Sequence, residues 1–395
     1  VERFQALAYQ AAQDLFKAKI ECFFYDATTL YFESVLTDEV REFGFSKDGK
    51  FNQVQILFCL LVTEEGLPVG YEVFPGNTGE TKTLKRAIEK LSKRFNVTRA
   101  TIVCDRGMLS KDNLDFAEKS SQMNYIVGEK LRKLPKAYHD LIFDKSTYEV
   151  SGENLIKEIG HPTRTGSRLI LVYSEERAKK DLSDRERLLK KLRKKLDKKK
   201  NPGPKDFISN SGVKKYVRAE GGSAVLNLEA IAKEEKWDGF FGIVTNHESL
   251  SSQGVLSQYR GLWQVEASFR LAKHNLATRP IFHWRPHRIE AHVLVCFLAL
   301  VLERHLEVRL SRASLQLTTQ NIHDALSKCQ KVILQDRRSF RLFEIDSNKP
   351  PEAKQIYEAI GLPWRKPTRE LTRPKELVVS SVGSVKPQVL GIAPL

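Results

Sequence analysis

Asp26 stands in the middle of a run, residues 22–32, built from Phe23, Phe24, Tyr25, Thr28, Thr29, Tyr31 and Phe32. Aromatic and β-branched residues at this density specify a strand, which we place at 21–34. A carboxylate buried in such a strand without a partner costs several kcal/mol. Asp26 therefore faces water or carries a function. The chain must fold around a sheet that accommodates this charge.

A second aspartate, Asp105, closes the apolar run 100–104. The C-terminal end of a buried strand is where α/β sheets generally place site residues. Its structural alternative is to cap the following helix, but Ser110 is already positioned to do that. Gly107 lets the backbone turn tightly just beyond it. A third acid, Glu266, lies in a helical pattern. Residues three, four and seven apart share a helix face. Tyr259, Leu262, Glu266, Phe269, Arg270 and Lys273 thus form one stripe on a helix expected over 251–273. Two carboxylates on strands and one on a helix can converge on a pair of hard divalent cations, the arrangement that cuts and rejoins phosphodiesters. The helix taken alone also reads as an ordinary face laced with ion pairs.

Between these acids the pattern alternates strands and helices. Residues 51–63 are apolar throughout and fit strand or helix by pattern alone. A turn at 65–70 leads to a strand at 71–74. An amphipathic helix follows at 81–95, with Leu84, Ala87, Ile88 and Leu91 on one face. The strand before Asp105, a helix at 111–120 and a strand at 124–127 complete a mixed α/β sheet flanked by helices. From 132 to 236 the texture changes. Short β-like pieces at 148–150, 168–173, 216–219 and 224–228 flank a charged helical stretch at 175–200, which Asn201, Pro202, Gly203 and Pro204 end. Gly221 and Gly222 form a turn. We read the whole as a β-rich insertion. The core resumes with a strand at 238–246, the Glu266 helix, and a buried helix over 288–310 whose most apolar part is 293–302. The expected divisions are an N-terminal helical remnant at 1–20, core halves at 21–131 and 237–310, the insertion at 132–236 and a C-terminal region at 311–395. The tail after Lys375 lacks helical periodicity. The chain enters a helical pattern directly at Val1, which leads us to expect sequence upstream.

Charge points to the partner. Lys and Arg total 65 against 49 Asp and Glu, a net +16 that attracts polyanions, nucleic acid first. Lys190, Lys191, Arg193, Lys194 and Lys195 make the charged helix a phosphate-contacting arm or a solvated face. Phe282, Trp284, Arg285, His287 and Arg288 interleave aromatic and basic groups that contact DNA or pack the core. The five cysteines form no C-x-x-C pair, so neither a zinc cluster nor a disulfide framework is indicated, and a reducing cytoplasm fits. No apolar stretch is long enough to span a bilayer, and a hydrolase G-x-S-x-G motif is absent.

Several of these segments together resemble the DDE transposases of bacterial insertion sequences, in the branch with a Tyr-x2-Arg-x3-Glu-x6-Lys signature. Tyr259, Glu266 and Lys273 fall at that spacing, with Trp263 and Phe269-Arg270 in the surrounding pattern. The residues around Asp26, the stretch 70–78, Asp105 through Ser110, and 242–246 also resemble the family, over roughly residues 20–310. Leu262 departs from the pattern, standing where the signature has Arg; Arg260 or Arg270 is then left to supply the charge. The resemblance implies an RNase H-like fold with a β-rich insertion before the Glu-bearing helix. It also implies Asp26, Asp105 and Glu266 as catalytic ligands of two Mg²⁺ ions, with Mn²⁺ as a substitute. Tyr259, Arg260, Trp263, Arg270 and Lys273 would contact DNA. Double-stranded element ends and target DNA would be its substrates, and a homo-oligomer would form on paired ends at the nucleoid of the cytoplasm. Another RNase H-like nuclease would keep the carboxylates without the Tyr/Lys stripe, and a non-catalytic DNA-binding relic would tolerate their loss.

Overall fold

The computed structural model describes residues 1–16, 21–95, 100–108, 110–119, 123–198, 213–220, 223–348, 350–364 and 368–371. The breaks expected at Asn201–Pro204 and Gly221–Gly222, and the tail after Lys375, lie outside them. The chain divides into two compact units, residues 1–64 with 69–266, and residues 65–68 with those from 267 onward.

In the first unit a helix, α1 (Glu2–Phe16), leads into β1 (Cys22–Tyr31), the strand that carries Asp26. β1 pairs antiparallel with β2 (Gln55–Thr63), and β3 (Pro68–Pro75) flanks β2. All nine residues of β2 are buried, which is why its sequence shows no alternation: both faces are covered. After α2 (Leu84–Phe95), which buries Leu84, Ala87 and Ile88, the chain returns as β4 (Ala100–Cys104), parallel to β1. Ser110 caps α3 (Lys111–Lys119) by accepting the Asn113 N–H at 3.2 Å, and β5 (Met123–Glu129) then lies parallel to β4. This is the mixed α/β sheet flanked by helices expected from the sequence.

The stretch 132–236 is wired into the same sheet. It contains a short α4 (His139–Phe143), then β6 (Glu149–Ser151), β7 (Asn154–Gly160) and β8 (Arg168–Ser174), and the long α5 (Glu175–Lys198). β9 (Val217–Glu220) and β10 (Ser223–Leu226) form a separate ribbon before α6 (Leu228–Glu235). β11 (Phe240–Thr245) then pairs antiparallel with both β5 and β8. One sheet of nine strands results, in the order β3-β2-β1-β4-β5-β11-β8-β7-β6. Leu131, Ile142, Tyr148, Leu169 and Leu171 form the core under the added strands.

The helix expected over 251–273 is divided. α7 (Ser252–Arg260) ends at Gly261, α8 (Trp263–Arg270) begins two residues later, and 271–275 widens into a π-helical turn. The cause is packing: a Cβ on Gly261 would lie 2.2 Å from the ring of Phe24, so glycine alone fits, and glycine weakens a helix interior.

The second unit contains α9 (Pro286–Arg312), α10 (Thr319–Ser327), β12 (Gln330–Gln335), β13 (Leu342–Asn348), α11 (Pro351–Ala359) and β14 (Arg369–Leu371). Leu310, Ile322, Ala325, Ala353 and Ile356 make its core. The segment 293–302, expected to be buried, is so on one face only. Val293, Phe297, Leu300 and Val301 are covered, whereas Val295 and Leu302 are exposed. No helix among the described residues is long and apolar enough to cross a membrane.

Candidate active site

The register of the parallel pair β1–β4 ends at Tyr25 opposite Cys104. The next residue on each strand is an aspartate. Asp26 and Asp105 therefore emerge side by side from strands about 4.8 Å apart, on one face of the sheet.

Their surroundings differ. Asp26 is largely buried, and its Oδ1 accepts the Ala27 N–H at 2.7 Å. Burial pushes its pKa up to about 6; Lys47 and the Ala27 N–H pull it down, and the negative charges of Glu80 and Asp105 push it up further. The Lys47 Nζ lies 3.9 Å from Asp26 Oδ1, pairs with Glu80 at 2.6 Å and donates to the Ala27 carbonyl at 2.5 Å. Burial opposes the Lys47 charge, but Asp26 and Glu80 hold its pKa above the ordinary value. Lys47 thus supplies positive charge between Asp26 and Glu80. Gly107 makes room for Glu80, because a Cβ there would sit 2.9 Å from Glu80 Oε2.

Asp105 is exposed, and the Tyr259 hydroxyl approaches its Oδ1 at 3.4 Å. Burial, and then the Asp105 charge, raise the Tyr259 pKa. Gly128 on β5 clears the way for that hydroxyl, which would lie 2.4 Å from an added Cβ. Phe241 stacks on Tyr259 with ring centroids 6.5 Å apart, and Arg177 lies over Phe241 at 4.8 Å. A cleft of about 820 Å³ runs from Asp105 and Tyr259 past Lys130 and Arg132 to Lys215 and Trp237.

Gly261 rests on Phe24, and Phe24 shares the Asp26 face by the two-residue period of a strand. The junction of α7 and α8 is therefore held on the face of the sheet where the aspartates emerge. Glu266, five residues further on, is exposed. Among the described residues no group of three or more His, Cys, Asp or Glu could hold a metal ion.

The remaining candidates separate. Arg260 donates to Asn154 Oδ1 on β7 at 2.8 Å, and Trp263 is exposed. Arg270 is exposed and Lys273 half-buried, both in the second unit. Lys190, Lys191, Arg193, Lys194 and Lys195 are all exposed on α5, while Leu189 and Leu192 between them pack on Tyr216, Ala224 and Ile231. Sequence reasoning missed Lys47 and Glu80. Both lie in connections between the strands and helices, and nothing near them in sequence marks them.

A family model described as the transposase DDE domain matches residues 17–302. The chain belongs to that family. A search of curated proteins finds no match. Among solved structures, it is similar to the piggyBac transposase in a synaptic complex with hairpin DNA, at 9% identity, 79% of this chain, 54% of that chain and a TM-score of 0.40. It is also similar to the Mos1 transposase in a paired-end complex with the left transposon end, at 11% identity, 31% of this chain, 40% of that chain and a TM-score of 0.20. The chain thus spans 54% and 40% of the lengths of these two proteins.

Proposed function

We propose that the chain is a DNA transposase of the insertion-sequence type that cleaves and joins strands at the ends of its own element. The observation that carries this reading is the side-by-side emergence of Asp26 and Asp105 within the region that matches the family. Asp26, Asp105 and Glu266 would hold a divalent pair, Mg²⁺ with Mn²⁺ as a substitute, which activates an attacking oxygen and neutralises the leaving one. The donors fit hard cations: they are carboxylate oxygens, and the largely buried Asp26 stays ionised more readily once positive charge is near.

The chain's own residues have separable tasks. The Ala27 N–H fixes one Asp26 oxygen, and Lys47 keeps the carboxylates from repelling one another. Tyr259 steadies Asp105 from the helix side. Glu266, on α8, would complete the set when DNA is bound. Arg260, Trp263, Arg270, Lys273 and the exposed α5 cations would contact double-stranded end and target DNA, in a homo-oligomer working at the nucleoid.

The test is cleavage of a plasmid carrying the element's ends in Mg²⁺. Asp26→Asn, Asp105→Asn and Glu266→Gln should each abolish nicking while DNA binding persists, because affinity comes mostly from cations paired with phosphates. Full activity in any one of these variants would remove that residue from the site.

A further inference from the structure

Residues 282–288 are seven consecutive exposed positions, Phe282, His283, Trp284, Arg285, Pro286, His287 and Arg288, between two buried isoleucines. Ile281 and Ile289 are 1% and 2% exposed, whereas Phe282 and Trp284 are 70% and 67% exposed. The segment is pinned rather than loose. His292 on α9 is within hydrogen-bond distance of the Thr278 carbonyl at 3.0 Å, and His283 leans on His292 with ring centroids 5.5 Å apart. A fold that buries Ile281 and Ile289 could have turned the two aromatic rings inward, yet it presents them to solvent.

We propose that this segment is a second DNA-contact surface, specific for unpaired bases, on the unit that does not carry Asp26 and Asp105. The inference rests on the DNA-transposase reading and adds a ligand class to it. Large aromatic faces exposed beside guanidinium groups are the means by which single strands are held: bases stack on the rings while the cations take the phosphates. Charge complementarity favours DNA over a second protein chain. Residues 277–289 contain no Asp or Glu, with Glu290 the first acid after them, and Arg285 and Arg288 follow the rings in sequence. A blunt duplex offers no base face away from its ends. The expected occupant is therefore the strand exposed when an element end is cut or frayed.

The test uses the full chain and three labelled probes: a single strand of about 20 nucleotides, a blunt duplex of about 30 bp, and the same duplex with an overhang of about six nucleotides. Phe282→Ala/Trp284→Ala should weaken binding to the single strand and the overhang about tenfold, and to the blunt duplex less than about twofold. Trp284→Phe should retain most of the affinity, which a simple folding defect would not predict. Arg285→Ala/Arg288→Ala should lower the salt slope by about one to two units on the strand-bearing probes. Unchanged binding of the aromatic variant to the single strand and overhang overturns the inference while leaving the transposase reading intact. So does a shift in sedimentation from oligomer to monomer without loss of single-strand affinity, which would assign the surface to a second copy. Wild-type protein that binds none of the probes overturns both.

Discussion

The two places where this chain concentrates charge are built on opposite principles. In the middle of β1 and just past β4, Lys47, Glu80 and the exposed Asp105 all act on the largely buried Asp26 carboxyl. Along α5, Lys190, Lys191, Arg193, Lys194 and Lys195 stand in water, held in place only by the leucine stripe beneath them. Electrostatic coupling is strong in the first setting and screened in the second. The cluster can therefore tune chemistry, whereas the arm can only add to affinity.

The largest effect expected from this contrast is a split between rate and binding. Asp105→Asn should reduce cleavage about a thousandfold, several kcal/mol of metal-assisted stabilisation, with little change in DNA affinity. Neutralising the five α5 cations should do the reverse. Cleavage at saturating DNA should hold, while affinity falls and the salt slope flattens by about one unit for each phosphate no longer neutralised. An unchanged slope would leave α5 as a solvated face.

The second effect is on stability in metal-free protein. The folded pKa of Asp26, about 6, lies above its ordinary value of 3.8, chiefly because of burial. Between those values the folded state binds the extra proton, so this group's contribution is best at low pH and is lost as pH rises through about 6. Asp26→Asn removes the loss and should raise stability at pH 8 by up to about 3 kcal/mol, with the gain vanishing near pH 4. Thermal melts in EDTA at both pH values would show it. A variant less stable than wild type at pH 8 would mean that the Lys47 pairing outweighs the burial.

A third effect concerns the helix junction. Gly261→Ala forces a methyl group onto the fully buried ring of Phe24 and should cost about 1–3 kcal/mol in a denaturant melt. A neutral result would mean that the junction does not press on β1 as described. The smallest effect is at Leu262, half-buried where the family signature has Arg. Leu262→Arg should preserve or modestly raise cleavage, with the melting temperature little changed. Marked destabilisation without a gain in rate would show that Leu262 serves packing alone.

How much of this was legible in the sequence follows the range of the interactions involved. Asp26 and Asp105 could be found because each sits in or just after a local run whose composition forces a strand. Their adjacency required only that those strands pair in parallel. β2 was ambiguous because burial on both faces erases periodicity. The break at Gly261 was missed because its cause, Phe24, is more than 200 residues away. Lys47 and Glu80 were invisible for the same reason: nothing near them in sequence says that two connecting segments meet beside β1. The continuation of the sheet through β11 and β8 was likewise hidden, since short strands declare themselves but not their partners.

A three-carboxylate centre is tested most directly by counting bound metal. Mn²⁺ bound per chain, measured by electron paramagnetic resonance with element-end DNA present, should approach two in the wild type. It should fall in each of Asp26→Asn, Asp105→Asn and Glu266→Gln. If Glu266→Gln kept both ions while the aspartate variants released them, Glu266 would be no part of the metal site, and the three-carboxylate centre would be contradicted.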